Sequence, residues 1–108
     1  MAIYYIYMLR CEDNSIYTGI TTNLDRRFKE HTNKDNKCAK YTFNHTAKKL
    51  EMTWETENRV LASKLEYHIK QLSKKDKEEL VKDARLINKL LEDRVDCTKY
   101  KLLDKENI

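Results

Sequence analysis

Two tyrosines near the start of the chain combine a strand-forming ring with a hydroxyl group that could take part in chemistry. Tyr7 and Tyr17 lie in the stretch "YYIYMLRCEDNSIYTGIT", and the only glycine of the chain, Gly19, follows the second tyrosine by two residues. These rings could simply pack, because tyrosine is a good strand residue. A phenol has an ordinary pKa of about 10, so neither is a good base at neutral pH unless a nearby cation favours the phenolate.

Two basic side chains follow at a spacing that places them on one helix face. Arg27 comes ten residues after Tyr17, and His31 stands one helical turn beyond it. The planar guanidinium of Arg27 can grip two phosphate oxygens, whereas the alternative is a surface ion pair with Asp25 or Glu30. His31 has a pKa suited to assisting or replacing a tyrosine as base, and its alternative is an interaction with the helix dipole.

The elements that carry these residues begin with a hairpin. Residues 3–10 and 15–20 read as strands on either side of the turn-forming segment "CEDNS". A two-residue loop would point Tyr7 and Tyr17 to opposite faces, whereas a three-residue loop over residues 12–14 places both on one face. The longer loop needs a left-handed residue at its last position, which asparagine tolerates. We predict the three-residue loop.

A helix and a third strand follow. Asn23 is suited to cap the N-terminus of a helix, and Leu24 and Phe28 would form the apolar stripe of that helix. "KLEMTWETE" alternates apolar and polar residues, which predicts a half-buried strand with one apolar side. That side carries Leu50, Met52 and Trp54.

Residues 58–93 are predicted to be helical, with Ser73 and Asp76 arranged like a capping box. Apolar residues at helical spacing define the face toward the core: Val60, Leu61, Leu65, Ile69, Leu72, Leu80, Ala84, Ile87 and Leu91. From Val95 onward the period is lost, so this part is either a short docked segment or a frayed tail. We therefore expect one domain over residues 1–93 and a C-terminal tail or docked segment over 94–108.

Composition excludes several classes of protein. A chain of 108 residues, with 40% hydrophobic and 37% charged residues, suffices for one core. No apolar run approaches the length of a membrane span, and the N-terminus lacks the layout of a signal peptide. The three cysteines form no CxxC pair, which argues against a disulfide framework or a zinc site and favours the cytoplasm.

Positive charge is concentrated in residues 21–50, which hold eight basic and three acidic residues. A basic surface of this kind suits a polyanion such as nucleic acid, although lysine-rich faces are often only solvated.

In the order of its strands, helices and candidate residues, the chain resembles the short, single-domain, UvrC-like branch of the GIY-YIG nuclease family. The two name-giving motifs correspond to "YIY", residues 5–7, and "YTG", residues 17–19, and the resemblance covers about residues 3–82. It implies the GIY-YIG fold, an α+β sandwich in which a small three-stranded, mainly antiparallel sheet is flanked by three or more helices.

The resemblance also implies metal-dependent hydrolysis of DNA phosphodiester bonds by an endonuclease that acts in repair or recombination. Tyr7, Tyr17, Arg27, His31 and Glu66 would be its catalytic residues. Glu66, in the middle of a predicted helix, would be the ligand of one Mg²⁺ (or Mn²⁺) ion that keeps several waters. Tyr7 is then the preferred general base, and Tyr17 positions water or phosphate.

The DNA, whether branched, flapped or nicked duplex, would contact glycine, tyrosine and lysine residues outside that catalytic set. These are Gly19, Lys29, Lys37, Lys40, Tyr41, Lys48 and Lys49. We expect affinity to be salt-sensitive and a protein partner to supply targeting.

Ile20 departs from the family pattern, because some relatives carry a lysine directly after "YTG". Lys29 or Lys40 could compensate. The alternative functions are a catalytically weak or inactive nucleic-acid-binding module, which the missing lysine favours, and a helical scaffold that binds a partner protein.

Overall fold

A β-hairpin, a helix, a strand and three further helices follow one another in the computed structural model, which describes residues 3–32 and 45–103. The described elements, in chain order, are β1 (Tyr4–Cys11), β2 (Ile16–Thr21), α1 (Leu24–Thr32), β3 (Ala47–Thr56), α2 (Arg59–Lys70), α3 (Lys74–Lys82), α4 (Leu86–Leu91), a 3-10 turn (Cys97–Lys99) and β4 (Lys101–Leu102).

The strands form one antiparallel sheet in the order β2-β1-β3-β4. The predicted α+β class is confirmed, but the predicted count of three strands is wrong. Leu102 and Lys101 pair with Trp54 and Glu55 and add a fourth strand at the β3 side. A strand of two residues is too short to show the alternation by which strands are found in a sequence.

The hairpin between β1 and β2 closes through the predicted three-residue loop. The backbone N–H of Cys11 donates to the carbonyl of Ser15 at 2.9 Å, and Asn14 has a φ of 71°. In the resulting register Tyr7 lies opposite Gly19, and Leu9 lies opposite Tyr17. Tyr7 and Tyr17 therefore share one face of the sheet, as predicted.

The two faces of the sheet are covered by different helices. Helix α1 packs through Leu24 and Phe28 against Tyr7 and Leu9. The other face carries the larger apolar core, which α2, α3 and α4 cover. Its fully buried members include Ile6, Met8, Leu65, Ile69 and Leu80. Burying one such side chain contributes about 1.5–3 kcal/mol, so this core supplies most of the stability that holds the sheet.

Helix α1 and the first turn of α3 begin where the sequence predicts. The Asn23 side chain accepts a hydrogen bond from the N–H of Arg26 at 3.0 Å. The Ser73 side chain accepts one from the N–H of Asp76 at 3.1 Å. Both caps satisfy donors that a helix N-terminus otherwise leaves without partners.

Leu50 is an exception to the predicted alternation of the third strand. Met8 pairs with Met52 but Leu9 pairs with Leu50, so a bulge in β3 shifts the register by one residue. Leu50 consequently packs with Leu9 on the α1 face, away from Met52 and Trp54. A bulge leaves no simple period in a sequence, which is why the alternation is misleading there.

Two helix predictions also need correction. Val60 is predicted on the core face but is 77% exposed, because the buried stripe of α2 runs through Ala62, Leu65 and Ile69. The helix predicted beyond Ser73 is interrupted at Asp83, whose backbone is extended and whose side chain accepts a hydrogen bond from the N–H of Arg85. Such a local bond competes with helix formation.

Residues after α4 pack onto the domain. Val95 and Tyr100 are buried in the larger core, and the Tyr100 hydroxyl donates to the carbonyl of Leu61 at 2.7 Å. The Thr56 hydroxyl donates to the carbonyl of Lys99 at 2.9 Å. These contacts hold the segment that leads into β4.

A network of ion pairs ties α3 to the hairpin. The buried guanidinium of Arg10 donates to Glu51 at 3.0 Å and to both carboxylate oxygens of Glu78 at 2.6 and 2.7 Å. It also donates to the carbonyl of Asn14 at 3.0 Å. The start of α3 is therefore fixed beside the hairpin turn.

Replacing Asn14 by alanine and by glycine separates backbone strain from side-chain contacts. Both changes remove the amide oxygen, which lies 3.3 Å from Arg10, but only glycine adopts a positive φ without strain. We expect the alanine variant to be less stable than the glycine variant by about 1 kcal/mol in urea unfolding. Equal stabilities would contradict a left-handed residue at this position.

Candidate active site

Tyr7 and His31 form the buried centre of the site. Tyr7 lies on the central strand β1 and His31 in the last turn of α1, with 2% and 0% of their surfaces exposed. The Tyr7 hydroxyl oxygen and His31 Nε2 are 2.8 Å apart, a hydrogen bond in which the imidazole tautomer decides which group donates. This pair brings together a phenol and a base that can exchange a proton.

Arg27 connects this pair to the surface. Its Nε donates to the Tyr7 oxygen at 3.4 Å, and a terminal nitrogen donates to Glu30 at 2.9 Å. The ion pair with Glu30, which the sequence offers as an alternative role, is thus present together with the contact to Tyr7. Arg26, the neighbouring cation, has 61% of its side chain exposed, against 21% for Arg27. Glu30 therefore orients the one arginine of this pair that points toward the phenols.

Tyr17 completes a cluster of three rings. Its centroid lies 6.2 Å from that of Tyr7 and 5.4 Å from that of His31. Burial raises the pKa of both tyrosines above the ordinary value, while Arg27 opposes the rise. Both phenols are accordingly protonated at neutral pH, and a tyrosine can act as a base here only if its own proton has somewhere to go.

Gly19 lies directly beneath these rings on β2. A Cβ atom at this position would come within 2.5 Å of the Tyr7 hydroxyl oxygen and 2.9 Å of the Tyr17 ring. A glycine is needed here because the two tyrosines of the site approach its backbone so closely. Direct contact of Gly19 with nucleic acid stays a prediction.

Glu66 reaches the same place from helix α2. Its negative charge contributes to the raised pKa of both Tyr7 and Tyr17. Lys70, one turn further along α2, lies with Nζ 3.7 Å from a Glu66 carboxylate oxygen and 5.2 Å from the Tyr17 ring centroid. Helices α1 and α2 cover opposite faces of the sheet, so the site straddles the edge strand β2.

The donors at this site fit a hard cation that keeps most of its water. Within residues 3–32 and 45–103, no group of three or more His, Cys, Asp or Glu side chains could hold a metal ion. Mg²⁺ is often bound by one or two carboxylates and several waters. Glu66 is a hard oxygen donor with 23% of its side chain exposed, and it could serve as that carboxylate.

The predicted contacts to DNA are spread more widely than the catalytic set. Lys29 is exposed on α1, and Lys48 and Lys49 are exposed at the start of β3, where Lys49 lies 3.5 Å from Glu51. The other residues predicted to contact DNA, Lys37, Lys40 and Tyr41, lie outside the described residues. The five predicted catalytic residues, by contrast, meet at one ring cluster. Tyr7, Tyr17 and His31 form it, and Arg27 donates to Tyr7. The charge of Glu66 acts on both phenols.

One neighbour of the site is not among the predicted functional residues. Lys70 stands four residues after Glu66, which in a helix means the same face, and that spacing is visible in the sequence. What the sequence does not reveal is that this face turns toward Tyr17. Ile20, at the position where some relatives carry a lysine, is paired with Ile6 and packs on the larger core.

Comparison with known proteins identifies the family to which the chain belongs. A family model described as the GIY-YIG catalytic domain matches residues 3–79, so the chain belongs to the GIY-YIG family. Membership of this family indicates nuclease activity, and its nucleases generally depend on a divalent metal.

Individual relatives are similar over most of their length. The chain is 45% identical to UPF0213 protein FN1575 of Fusobacterium nucleatum, over 72% of this chain and 76% of that protein. It is 38% identical to UPF0213 protein YhbQ of Salmonella arizonae, over 84% and 89%. The solution NMR structure of UPF0213 protein BH0048 from Bacillus halodurans is 41% identical, covers 74% of this chain and 83% of that chain, and gives a TM-score of 0.48.

Among the described residues, no helix is both long enough and apolar enough to cross a membrane.

Replacing Gly19 by alanine tests whether the packed rings define the site. The added methyl group must displace the Tyr7 hydroxyl from His31, while β2 retains its hydrogen bonds. We expect the side-chain NMR signals of Tyr7 and His31 to shift strongly in a folded protein. The matched control is Ile20 to valine, a change on the other face of the same strand, which should leave those signals in place. Unchanged Tyr7 and His31 signals in the Gly19 to alanine variant would contradict the close packing of Gly19 against the Tyr7 hydroxyl.

Proposed function

We propose that this chain is a divalent-metal-dependent endonuclease that hydrolyses phosphodiester bonds in DNA. The observation that carries the proposal is the convergence of Tyr7, His31 and Arg27 beside Tyr17, with the charge of Glu66 acting on both phenols. Hydrolysis of a phosphodiester requires a base for water, positive charge around the phosphate and help for the departing oxygen. This set of side chains offers a candidate for each task.

Tyr7 and His31 together can remove a proton from the attacking water. Because burial raises the pKa of Tyr7, a free phenolate is not available at neutral pH. The Tyr7 oxygen can take the proton of the water while its own proton passes to His31 Nε2, 2.8 Å away. The hydroxide oxygen then forms its bond to phosphorus as the bond to the 3′ oxygen breaks, and the departing 3′ oxygen takes a proton from solvent. His31 is left carrying the proton, which it returns to solvent after the reaction.

Arg27 and Tyr17 position the phosphate. The Arg27 side chain is fixed by Glu30 and contacts Tyr7, which places its guanidinium where it can bind phosphate oxygens beside the base. The Tyr17 hydroxyl, which also interacts with Arg27, can orient water or phosphate within the same ring cluster. Glu66 would hold the Mg²⁺ or Mn²⁺ ion, which when bound supplies charge neutralisation at the phosphate and at the departing oxygen.

We extend the proposal to the biological substrate on the strength of the family. Branched, flapped or nicked duplex DNA is the class that a repair or recombination endonuclease cuts. A protein partner would supply targeting.

A second candidate, a nucleic-acid-binding module with weak or no activity, is favoured by one observation. Ile20 packs into the core where some relatives place a lysine, so the site has one cation fewer than theirs. This candidate predicts binding without cleavage products under any metal condition.

Replacing Glu66 by glutamine or Arg27 by alanine tests the proposed nuclease. Each change removes a charged group from the site while the core stays intact, and we expect a loss of at least about 100-fold in cleavage rate. The assay follows branched, flapped and plain duplex DNA with Mg²⁺ or Mn²⁺. Circular dichroism confirms that the variants fold.

The matched control is Arg26 to alanine, which removes an exposed cation of the same helix and should change the rate only a few-fold. Equal cleavage by wild type and both site variants would mean that a contaminating nuclease cuts the DNA. Binding without products under every condition would favour the second candidate.

A further inference from the structure

Three lysines lie in succession beside the candidate active site, and the reaction described above does not use them. Lys70 is the last residue of α2, Lys74 is the first residue of α3, and Lys77 follows one turn later. Lys70 is the member nearest the site, with Nζ 5.2 Å from the Tyr17 ring centroid. We call these three residues the lysine row.

The lysine row leads from the site to the turn of the β1-β2 hairpin. Lys74 Nζ donates to the carbonyl of Asn14 at 2.5 Å. Lys74 and Lys77 line a groove of about 380 Å³ together with the residues of that turn, namely Asp13, Asn14, Ser15 and Ile16. The groove is large enough for a phosphate group and its sugar. The network around Arg10 and Glu78 holds its two walls together.

The positive charge of the lysine row is only partly neutralised. Lys74 lies 3.0 Å from Glu78, but Glu78 is already held by two hydrogen bonds from Arg10. Lys70 lies 3.7 Å from Glu66, which is the proposed metal ligand. Among the described residues, Lys77 forms no ion pair, and the charges that act on it are those of Lys74 and Lys70.

The three ammonium groups are close enough to act on one another. Burial lowers the pKa of Lys77, and the charges of Lys74 and Lys70 lower it further. Asp13 is a carboxylate in the wall of the groove, and it is engaged by Ser15 and His45. Like charges held together destabilise a folded protein, and an anion that binds among them relieves the repulsion.

A purely structural role does not account for this arrangement. Lys70 and Lys74 have 44% and 56% of their side chains exposed, so neither serves as a buried anchor. Lys77 is half-buried yet has no acidic partner in the described part of the chain. Instead, Lys74 and Lys77 line one groove at the hairpin turn. Lys70 lies beside the Tyr17 ring, and its charge acts on Lys77.

We propose that the lysine row binds the sugar-phosphate backbone of the substrate DNA on one side of the bond that is cut. Lys70 contacts the phosphate nearest that bond, and Lys74 and Lys77 hold the next phosphates along the groove toward the hairpin turn. The proposal rests on the proposed function, since it assigns the surface along which the nuclease would bind the DNA strand. It adds the junction of α2 and α3 to the contact surface that the sequence predicts over residues 21–50.

The test compares two double variants that remove the same net charge. The first is K70Q/K77Q, which spares Lys74 and its contacts with Glu78. The second is K64Q/K75Q, which replaces two exposed lysines of the same helices that lie outside the row. Binding to a fluorescent flapped duplex is followed by anisotropy over a range of salt concentrations, with EDTA present so that the DNA is not cut.

We expect K70Q/K77Q to bind more weakly and its slope of log K against log salt to be smaller by about two, one for each phosphate that no longer meets a lysine. K64Q/K75Q should keep the slope of the wild type. K70Q/K77R should bind more tightly than K70Q/K77Q, because a cation of either kind can contact a phosphate. Thermal unfolding of each variant checks the fold, and K70Q alone, at an exposed helix end, gives a second measurement if the double variant is unstable.

Each outcome separates this proposal from the one on which it rests. Equal affinities and equal slopes for the two double variants overturn the lysine row, while metal-dependent cleavage by the wild type leaves the nuclease in place. A wild type that neither binds nor cuts DNA overturns both. If K70Q/K77Q binds more weakly and K64Q/K75Q binds like the wild type, the result supports DNA binding by the lysine row, whether or not the DNA is cut.

Discussion

The register of one hairpin is the constraint on which the site depends. Side chains alternate faces along a strand, so a loop longer or shorter by one residue would send Tyr17 to the face opposite Tyr7. The left-handed conformation of Asn14 allows a three-residue loop, and that loop sets Tyr7 opposite Gly19. The sheet can then offer two phenols to one helix, and α1 contributes His31 and Arg27 to the same place.

The second constraint is space. With Gly19 beneath them, the rings of Tyr7 and Tyr17 pack closely, and Tyr7 keeps only 2% of its surface exposed. Burial raises the pKa of Tyr7, and a buried imidazole at hydrogen-bond distance gives its proton a destination. The same packing therefore makes a free phenolate unfavourable and a transfer through Tyr7 to His31 feasible. Since β2 is an edge strand, Glu66 can approach this cluster from the helix layer on the other face.

Much of this architecture could be predicted from local patterns, and the exceptions have physical causes. The hairpin loop, the Asn23 and Ser73 caps and the α+β class follow from rules that act over a few residues. The bulge at Leu50 and the two-residue strand β4 are set by tertiary pairing, which leaves no period in the sequence. The break at Asp83 arises because a side-chain hydrogen bond to the backbone competes with an apolar pattern that continues through it.

In the candidate site, too, some features could be predicted from the sequence and others depend on tertiary packing. Residue types and spacing, together with the family resemblance, sufficed to nominate Tyr7, Tyr17, Arg27 and Glu66, which lie close together. The electrostatic setting could not be predicted, because Lys70 meets the Tyr17 ring only once α2 is packed along β2. Spacing along α2 shows that Lys70 and Glu66 share a face, but the direction of that face depends on the whole core.

The proposed function requires two phenols, a guanidinium and one carboxylate to surround a single metal-binding cleft. The most direct measurement is a titration of the protein with Mn²⁺ that follows paramagnetic broadening in NMR spectra. We expect the side-chain signals of Tyr17 and Arg27 and the backbone signal of Glu66 to broaden first, and E66Q to abolish this pattern. Broadening centred elsewhere in the molecule, or the same broadening in E66Q, would contradict it.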